Sequence, residues 1–450
     1  MFTALLPMLV LMGSMIFQAE YCGDFRPWVP LILGTACSIV LGMSRGRSWD
    51  DLSHETFQAV GSVASVIALY ILIGPTISTW LAAGTLPTLI IWGSSVMTPA
   101  IYLPLSFLLM GLSGMLLGSG ISALGTMGIA LVSIGLSMGY PLWFLASVLG
   151  SAAFWGNAVS PLSAVTVLSL AITKGKSSEY SHFLFPRMLP PFLFCAAVYA
   201  VGGYFFQPTS TAEAVSFESL TQLFPPGLLG LIPPLVLAAM ILLKAPTLVM
   251  FFASILAACI IAVGTGHITL AQLPSLIIDG YRYTGTDVLL KGILNRGGIN
   301  SITSIIITVT LAMAFGGSYQ ASGALDQVLN FLTRFVDSTE GLRRMTLCST
   351  MLTTVATGSC TMGTALTATL FTPKLKSHGL HAFEQTTVLG PTGTVFSVLV
   401  PWSVAGFAML NLLELPLSEP GTLLYIPASF CSYLTLLWLA RKVPSSPRNS

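Results

Sequence analysis

The sequence predicts an all-α polytopic membrane protein, with about ten to twelve crossings of roughly 20 apolar residues each. Three observations carry that reading. Of the 450 residues, 54% are hydrophobic and only 8% are charged, whereas an ordinary soluble domain carries about 25% charged residues. The run from Thr56 to Thr173 contains no Asp, Glu, Lys, Arg or His. Apolar stretches recur from end to end and leave no soluble domain of useful size. The net charge of +2 comes from a few basic loops, none dense enough to serve nucleic acid.

Taken in order, Met1–Phe17 lacks the positive n-region of a cleaved leader and reads as a retained first membrane segment. A second runs from Trp28 to Met43. Arg45, Arg47, Asp50, Asp51 and Glu55 then mark a surface loop. The charge-free run opens with a helix to Thr79, is interrupted at GTLP (Gly84–Pro87), and is punctuated by Pro99, Pro104 and Pro141. Lys174–Arg187 is read as a basic cytoplasmic loop, as are Lys374–Lys376 and the C-terminus. Apolar runs resume at Pro190–Phe206, Gly227–Leu243 and Leu248–Val263, and a polar connection spans His267–Arg296. Further crossings are expected at Ile299–Phe315 and Thr422–Leu439, with a surface segment at Arg334–Arg344 between them. The seven cysteines, Cys22, Cys37, Cys195, Cys259, Cys348, Cys360 and Cys431, form no CxxC pair or metal-site spacing.

The two halves resemble each other. AGTL (Ala83–Leu86) pairs with SGAL (Ser322–Leu325), Gly125-Thr126 with Gly363-Thr364, and Pro161 with Pro401, in the same order and at nearly constant offset. The expected organisation is an N-terminal repeat (1–205), a central segment (206–298) and a C-terminal repeat (299–450). Internal repeats are a signature of secondary transporters, and interruptions at matching positions point to the binding site.

Four polar, helix-breaking clusters lie in otherwise apolar surroundings: Gly118–Thr126, Asn157–Thr166, Thr357–Thr364 and Thr392–Ser403. Freed backbone groups in a bilayer must be buried in protein or line a cavity. Half-helix N-termini offer N–H groups to an anion, and C-terminal ends offer carbonyls to a cation. Hard cations take oxygen ligands. The candidate ion- or substrate-binding residues are therefore Thr126, Asn157, Ser160, Ser163, Thr166, Ser359, Thr361, Thr364, Thr394, Ser397 and Ser403. Asn157, Ser160 and Ser163 are the first choice for Na+, and Gly120, Pro161, Gly358 and Pro401 are the helix-breaking positions. Against this stands the blander expectation that membrane Ser and Thr bond to their own preceding turn or pack closely. Trp402 reads as a packing or interfacial aromatic rather than a ligand contact. Glu384, Glu414, Asp326 and Asp287 read as interfacial or solvated rather than buried. No HExxH, GxSxG, phosphate loop or acidic DDxxD pair is present, so neither an enzyme nor a cofactor is expected.

FWGNAVSPLSAVTVLS (Phe154–Ser169) resembles the FGDKxSPLSDTTNLA motif of the NhaC-type sodium/proton antiporter family. RGGINSI (Arg296–Ile302), AFGG (Ala314–Gly317), SGAL (Ser322–Leu325) and GTVFSVLVPWSVAG (Gly393–Gly406) resemble further elements of that family in the same order, as do DGYRYTGTDVLL (Asp279–Leu290) and HGLH (His378–His381). The resemblance, from Ala83 to Met409, implies a multi-pass transporter of the bacterial inner membrane. It also implies two inverted repeats with broken helices or re-entrant hairpins, a site between them, Na+ as transported or coupling ion, and a homodimer in the lipid bilayer.

This chain departs from the motif where the family carries acids or amides. Asn157 and Ala158 stand for Asp and Lys, Ala164 for Asp, Val167 for Asn, Gly390 and Pro391 for Glu and Asp, and Ser403 for Asn. A proton carrier must titrate within reach of working pH, and none of these does. Two further functions therefore stand beside sodium/proton exchange: a carrier of a small carboxylate or amino acid, driven by Na+ or by exchange, and a membrane subunit or sensor that keeps the fold without transporting.

Overall fold

The computed structural model describes residues 2–18, 21, 27–175, 177–205, 217–243, 245–285, 291, 294–332, 338–413, 415 and 422–441. Cys22, Asp287, Arg334 and Glu414 lie outside them. Among the described residues every regular element is a helix. Among the described residues, six helices are long and apolar enough to cross a membrane, and six more apolar ones of 10–17 residues are shorter.

The N-terminal helices are α1 (Phe2–Phe17), α2 (Trp28–Ser44) and α3 (Trp49–Gly61). α3 corrects the expectation of a loop through Asp50–Glu55. Ser48 caps it by accepting from Asp51 N, and Asp50 and Asp51 sit in its first turn, where carboxylates favour the positive end of the helix dipole. The charges mark a helix start, and the apolar signal begins only after it.

The first repeat runs through α4 (Ala64–Ala82), α5 (Thr85–Val96), α6 (Pro99–Leu117), the short α7 (Gly120–Ala123) with a π-turn at Leu124–Gly128, α8 (Ile129–Ser137), α9 (Leu142–Val159) and α10 (Ala164–Thr173). The middle of the chain supplies α11 (Ser177–Phe205), α12 (Phe217–Leu223), α13 (Ile232–Leu242), α14 (Thr247–Gly264) and α15 (Leu273–Asp279). The basic stretch read as a loop up to Arg187 is largely the start of α11, a 29-residue helix with Pro186, Pro190 and Pro191 inside it. Arg187 stays compatible with it by donating to Phe183 O and stacking on the Phe183 ring.

The second repeat consists of α16 (Ile299–Ala321), α17 (Ala324–Leu332), α18 (Thr339–Thr357), α19 (Cys360–Ser377), α20 (Ala382–Ser397) and α21 (Val404–Leu412). α22 (Tyr425–Ala428) and α23 (Phe430–Ala440) follow, so the expected last crossing is interrupted at Ser429. α18–α20 are rich in hydroxyls yet largely buried. Many of their Thr side chains are satisfied inside the helix, as at Thr346, Thr350, Thr354 and Thr357, each of which donates to a carbonyl four residues back. That is the own-turn bonding expected of single hydroxyls.

The helices and turns of the two halves follow in matching order. α6 and α18 are both 19 residues long. Each ends on a left-handed glycine, Gly118 at φ 64° and Gly358 at φ 64°, a conformation that costs an L-residue with a Cβ about 1–2 kcal/mol. Each glycine is followed by a serine that caps the next helix, Ser119 accepting from Ser122 N and Ser359 from Met362 N. The pairs AGTL/SGAL and Pro161/Pro401 fall at equivalent turns.

The two long helices before the breaks, α9 and α20, lie side by side. α9 sits against α6 through small residues: a Cβ on Gly156 would strike Gly111 O, and one on Gly114 would strike Ala153 O. Such close backbone approach is a membrane-helix packing device. α10 packs on α19 and α20, so the first repeat's half-helix rests on the second repeat. Thr173 Oγ1 and Thr386 Oγ1 lie 2.7 Å apart across that contact.

Candidate functional site: two broken helices

The first break, Ser160–Ser163, separates α9 from α10. Pro161 cannot donate to continue the helix, and the chain turns extended at Ser160 (φ −72°, ψ 132°) and Ser163 (φ −62°, ψ 127°). Ser160 Oγ donates to Met115 O at 2.7 Å and accepts from Leu162 N, which fixes the loop on the last turn of α6. Asn157, one turn before the break, and Ser163, at the N-cap of α10, are both buried. Asn157 Oδ1 and Ser163 Oγ have no hydrogen-bond partner, and α10 has no side-chain cap. A buried oxygen left in that state costs about 1–3 kcal/mol.

The second break, between α20 and α21, has the same frame and the opposite chemistry. Trp402 Nε1 donates to Val355 O on the last turn of α18, the position equivalent to Met115. Ser403 is satisfied twice, donating to Ser397 O at 2.6 Å and accepting from Gly406 N at 2.9 Å. Val404 N donates to Gly358 O, Ser397 Oγ to Thr394 O, and Thr394 Oγ1 to Gly390 O. Tyr425 and Tyr70 bond the carbonyls of Val398 and Val404.

The remaining candidates divide accordingly. Thr126 bonds its own turn, to Ser122 O, and Ser359 is spent on capping. Thr361 is exposed, and Thr166 is buried on α10. Thr364 Oγ1 is buried without a partner and lies against Gly393, where a Cβ would come within 2.5 Å of it. Gly120 and Gly358 take part in the two helix-to-helix turns rather than in the breaks themselves. Sequence reasoning missed Ser122, Ser349 and Thr392, whose buried hydroxyl oxygens are likewise unpartnered. The signal available for them, a hydroxyl in a polar cluster, was shared with many that are satisfied. Among the described residues no group of three or more His, Cys, Asp and Glu is placed to hold a metal ion.

The arrangement at the first break matches a cation against the C-terminal end of α9, where the helix dipole is negative, with neutral oxygens from Asn157 and Ser163. The uncapped α10 start offers N–H groups to an anion. A family model described as "Na+/H+ antiporter family" matches residues 171–435. This chain belongs to that family.

Similar proteins agree along nearly its whole length. The chain is 26% identical to the Na(+)/H(+) antiporter NhaC of Alkalihalophilus pseudofirmus, over 96% of this chain and 93% of the relative. It is 25% identical to the malate-2H(+)/Na(+)-lactate antiporter of Bacillus subtilis, over 92% and 88%, and 26% identical to the arginine/ornithine antiporter ArcD of Halobacterium salinarum, over 90% and 84%. As a member of the Na+/H+ antiporter family, it is an integral membrane protein and a secondary transporter. Membership in a family of working carriers speaks against the non-transporting subunit.

Proposed function

We propose that this protein is a sodium-coupled secondary transporter whose ion binds at the first break, held by Asn157 Oδ1, Ser163 Oγ and carbonyls at the end of α9. One observation carries the reading: two buried, unpartnered oxygens, on Asn157 and Ser163, flank the first break, whereas Ser397 and Ser403 at the equivalent places of the second are both hydrogen-bonded. Sodium takes oxygen donors without needing a carboxylate, and an unsatisfied buried acceptor marks a place for an ion or a water. The relatives named for Na+/H+ exchange make protons the expected counter-ion. Asn157, Ala164, Gly390, Pro391 and Ser403 do not titrate, so proton exchange would have to run through a group away from the breaks.

The test is purified protein in liposomes carrying a pH gradient, with and without external sodium. Collapse of the gradient on adding sodium supports Na+/H+ exchange. Sodium-dependent stabilisation without collapse supports sodium coupling to another cargo, and neither effect would defeat the reading. The uncapped start of α10 favours that second cargo being an organic anion or zwitterion, in keeping with the relatives named for malate, lactate, arginine and ornithine. Introducing Asn157→Asp with Ala164→Asp is expected to strengthen proton coupling in the same assay.

A further inference from the structure

The end of α23 meets the start of α11 along a seam rimmed with apolar side chains. Trp438 Nε1 donates to Arg187 O at 2.8 Å, and further along the Phe194 and Phe430 rings lie 6.4 Å apart, so the two helices run antiparallel. Past the arginine, α11 exposes Phe194, Val198 and Val201, while α23 exposes Phe430 and Leu437. A continuous exposed apolar surface of this kind on a membrane-spanning chain is a surface for acyl chains.

Two arginines stand at the head of that seam, both on Trp438. The Arg441 Cζ lies 6.0 Å from the centre of the Trp438 ring. The Arg187 guanidinium stacks on Phe183, with Cζ 3.7 Å from the ring centre, and its Nη1 donates to Phe183 O at 2.6 Å. Its Nε is buried and has no acceptor. A guanidinium carries five N–H donors, so most of those on Arg187 are unspent. Glu340 is taken by Arg343 and Arg344, and Arg343 in turn donates to Arg441 O. Among the described residues no carboxylate pairs with Arg187 or Arg441. A charge partly withdrawn from water without a counter-charge is costly. What the seam lacks is an anion.

We infer that this seam binds an anionic phospholipid of the surrounding bilayer, its phosphodiester on Arg187 and Arg441 and an acyl chain along Phe194, Val198, Phe430 and Leu437. Guanidinium–phosphate bonds are charge-assisted and roughly twice as strong as neutral ones. Tryptophan sits at headgroup level, and basic sites between helices recognise lipid headgroups there. Two cations with no acid beside them favour a headgroup of net negative charge over a zwitterionic one, whose own ammonium they repel. α23 packs against α9 and α20 as well as α11, so the bound lipid ties α11 to the helix that braces both broken-helix pairs. The site is separate from the first break and does not depend on the sodium reading.

The experiment is native mass spectrometry of the full chain, delipidated in detergent and offered equal amounts of phosphatidylglycerol and phosphatidylcholine with the same acyl chains; a separate arm adds inorganic phosphate. Phosphatidylglycerol is expected to be retained in preference by roughly tenfold, and millimolar phosphate should not displace it. Arg187→Gln and Arg441→Gln should each remove most of that preference. Arg441 is exposed at the end of its helix, so its variant tests the site even where Arg187→Gln fails to fold. Arg344→Gln removes an exposed arginine that is already paired with Glu340, and it should leave the preference intact. The inference is overturned if phosphatidylcholine is retained equally, if phosphate displaces the lipid and so marks the site as one for a free anion, or if Arg441→Gln keeps the parental preference. It is equally overturned if Arg344→Gln lowers the preference as much as Arg441→Gln does, since the effect would then be one of overall charge.

Discussion

The two breaks share a scaffold and differ in what they leave unsatisfied. Each follows a long helix, each contains a proline, and each carries a serine at the start of the next helix, Ser163 and Ser403. Ser403 closes on its own loop and caps α21. The Ser163 hydroxyl has no partner and does not cap α10, and Asn157 Oδ1, one turn before the break, is orphaned as well. Identical residue type at an equivalent position therefore gives a structural cap in one half and an unpartnered oxygen in the other. Symmetry of the backbone does not imply symmetry of function.

The largest effect is expected where the comparison is steric. Gly118 and Gly358 share a left-handed backbone, but a Cβ on Gly118 would come 2.7 Å from Leu162 Cβ, whereas on Gly358 the nearest atom is Ala312 Cβ at 3.3 Å. Both alanine variants carry about 1–2 kcal/mol of backbone strain, and Gly118→Ala adds about 1–3 kcal/mol of overpacking. Gly118→Ala should melt well below Gly358→Ala, and equal melting temperatures would show that the first break is not pinned against Gly118.

Next come the proposed ligand positions. Asn157→Ala and Ser163→Ala should each weaken sodium at least tenfold, which is about 1.4 kcal/mol, read as loss of sodium-induced stabilisation. Without sodium they should melt no lower than the parent, because the lost atoms had no partner. Ser403→Ala should do the reverse, costing about 1 kcal/mol of stability through the lost cap with sodium affinity unchanged. A sodium effect of Ser403→Ala as large as that of Ser163→Ala would erase the distinction between the halves.

The smallest effect belongs to the turns that open each repeat. The Gly84 turn bears no charge, whereas the Gly323 turn is followed by Asp326, whose carboxyl is pushed up by burial against the opposing pull of Arg47. A raised carboxyl binds its proton more tightly folded than unfolded. The stabilising contribution is thus complete below the ordinary carboxylate range and is lost as pH rises through the raised value. Asp326→Asn should therefore raise the melting temperature at pH 8 and leave it nearly unchanged at acid pH. The gain should be about 0.5 kcal/mol or less after solvent screening.

Much of the fold was legible in the sequence because the breaks are written in backbone chemistry. Proline at 161 and 401 and glycine at 84, 118, 323 and 358 constrain the chain whatever surrounds them, and the matching offset follows. The starts of α3 and α11 were less legible, because charged or proline-bearing residues that look like loop also begin helices when a cap or an internal bond is available. Asn157 and Ser163 were legible as candidates. Their difference from Ser403 was not, since capping depends on where Ser397 O and Gly406 N lie.

The carbonyls of Met115 and Val355 occupy equivalent places, and one is bonded by a serine hydroxyl, the other by a tryptophan indole. If the halves descend from one duplicated ancestor, selection has held the acceptor and let the donor drift. Any side chain with an N–H or O–H of the right reach satisfies it. Kinship between the halves therefore persists in main-chain atoms after residue identity has erased it, and an ancestral reconstruction of this protein would do better to align its carbonyls than its letters.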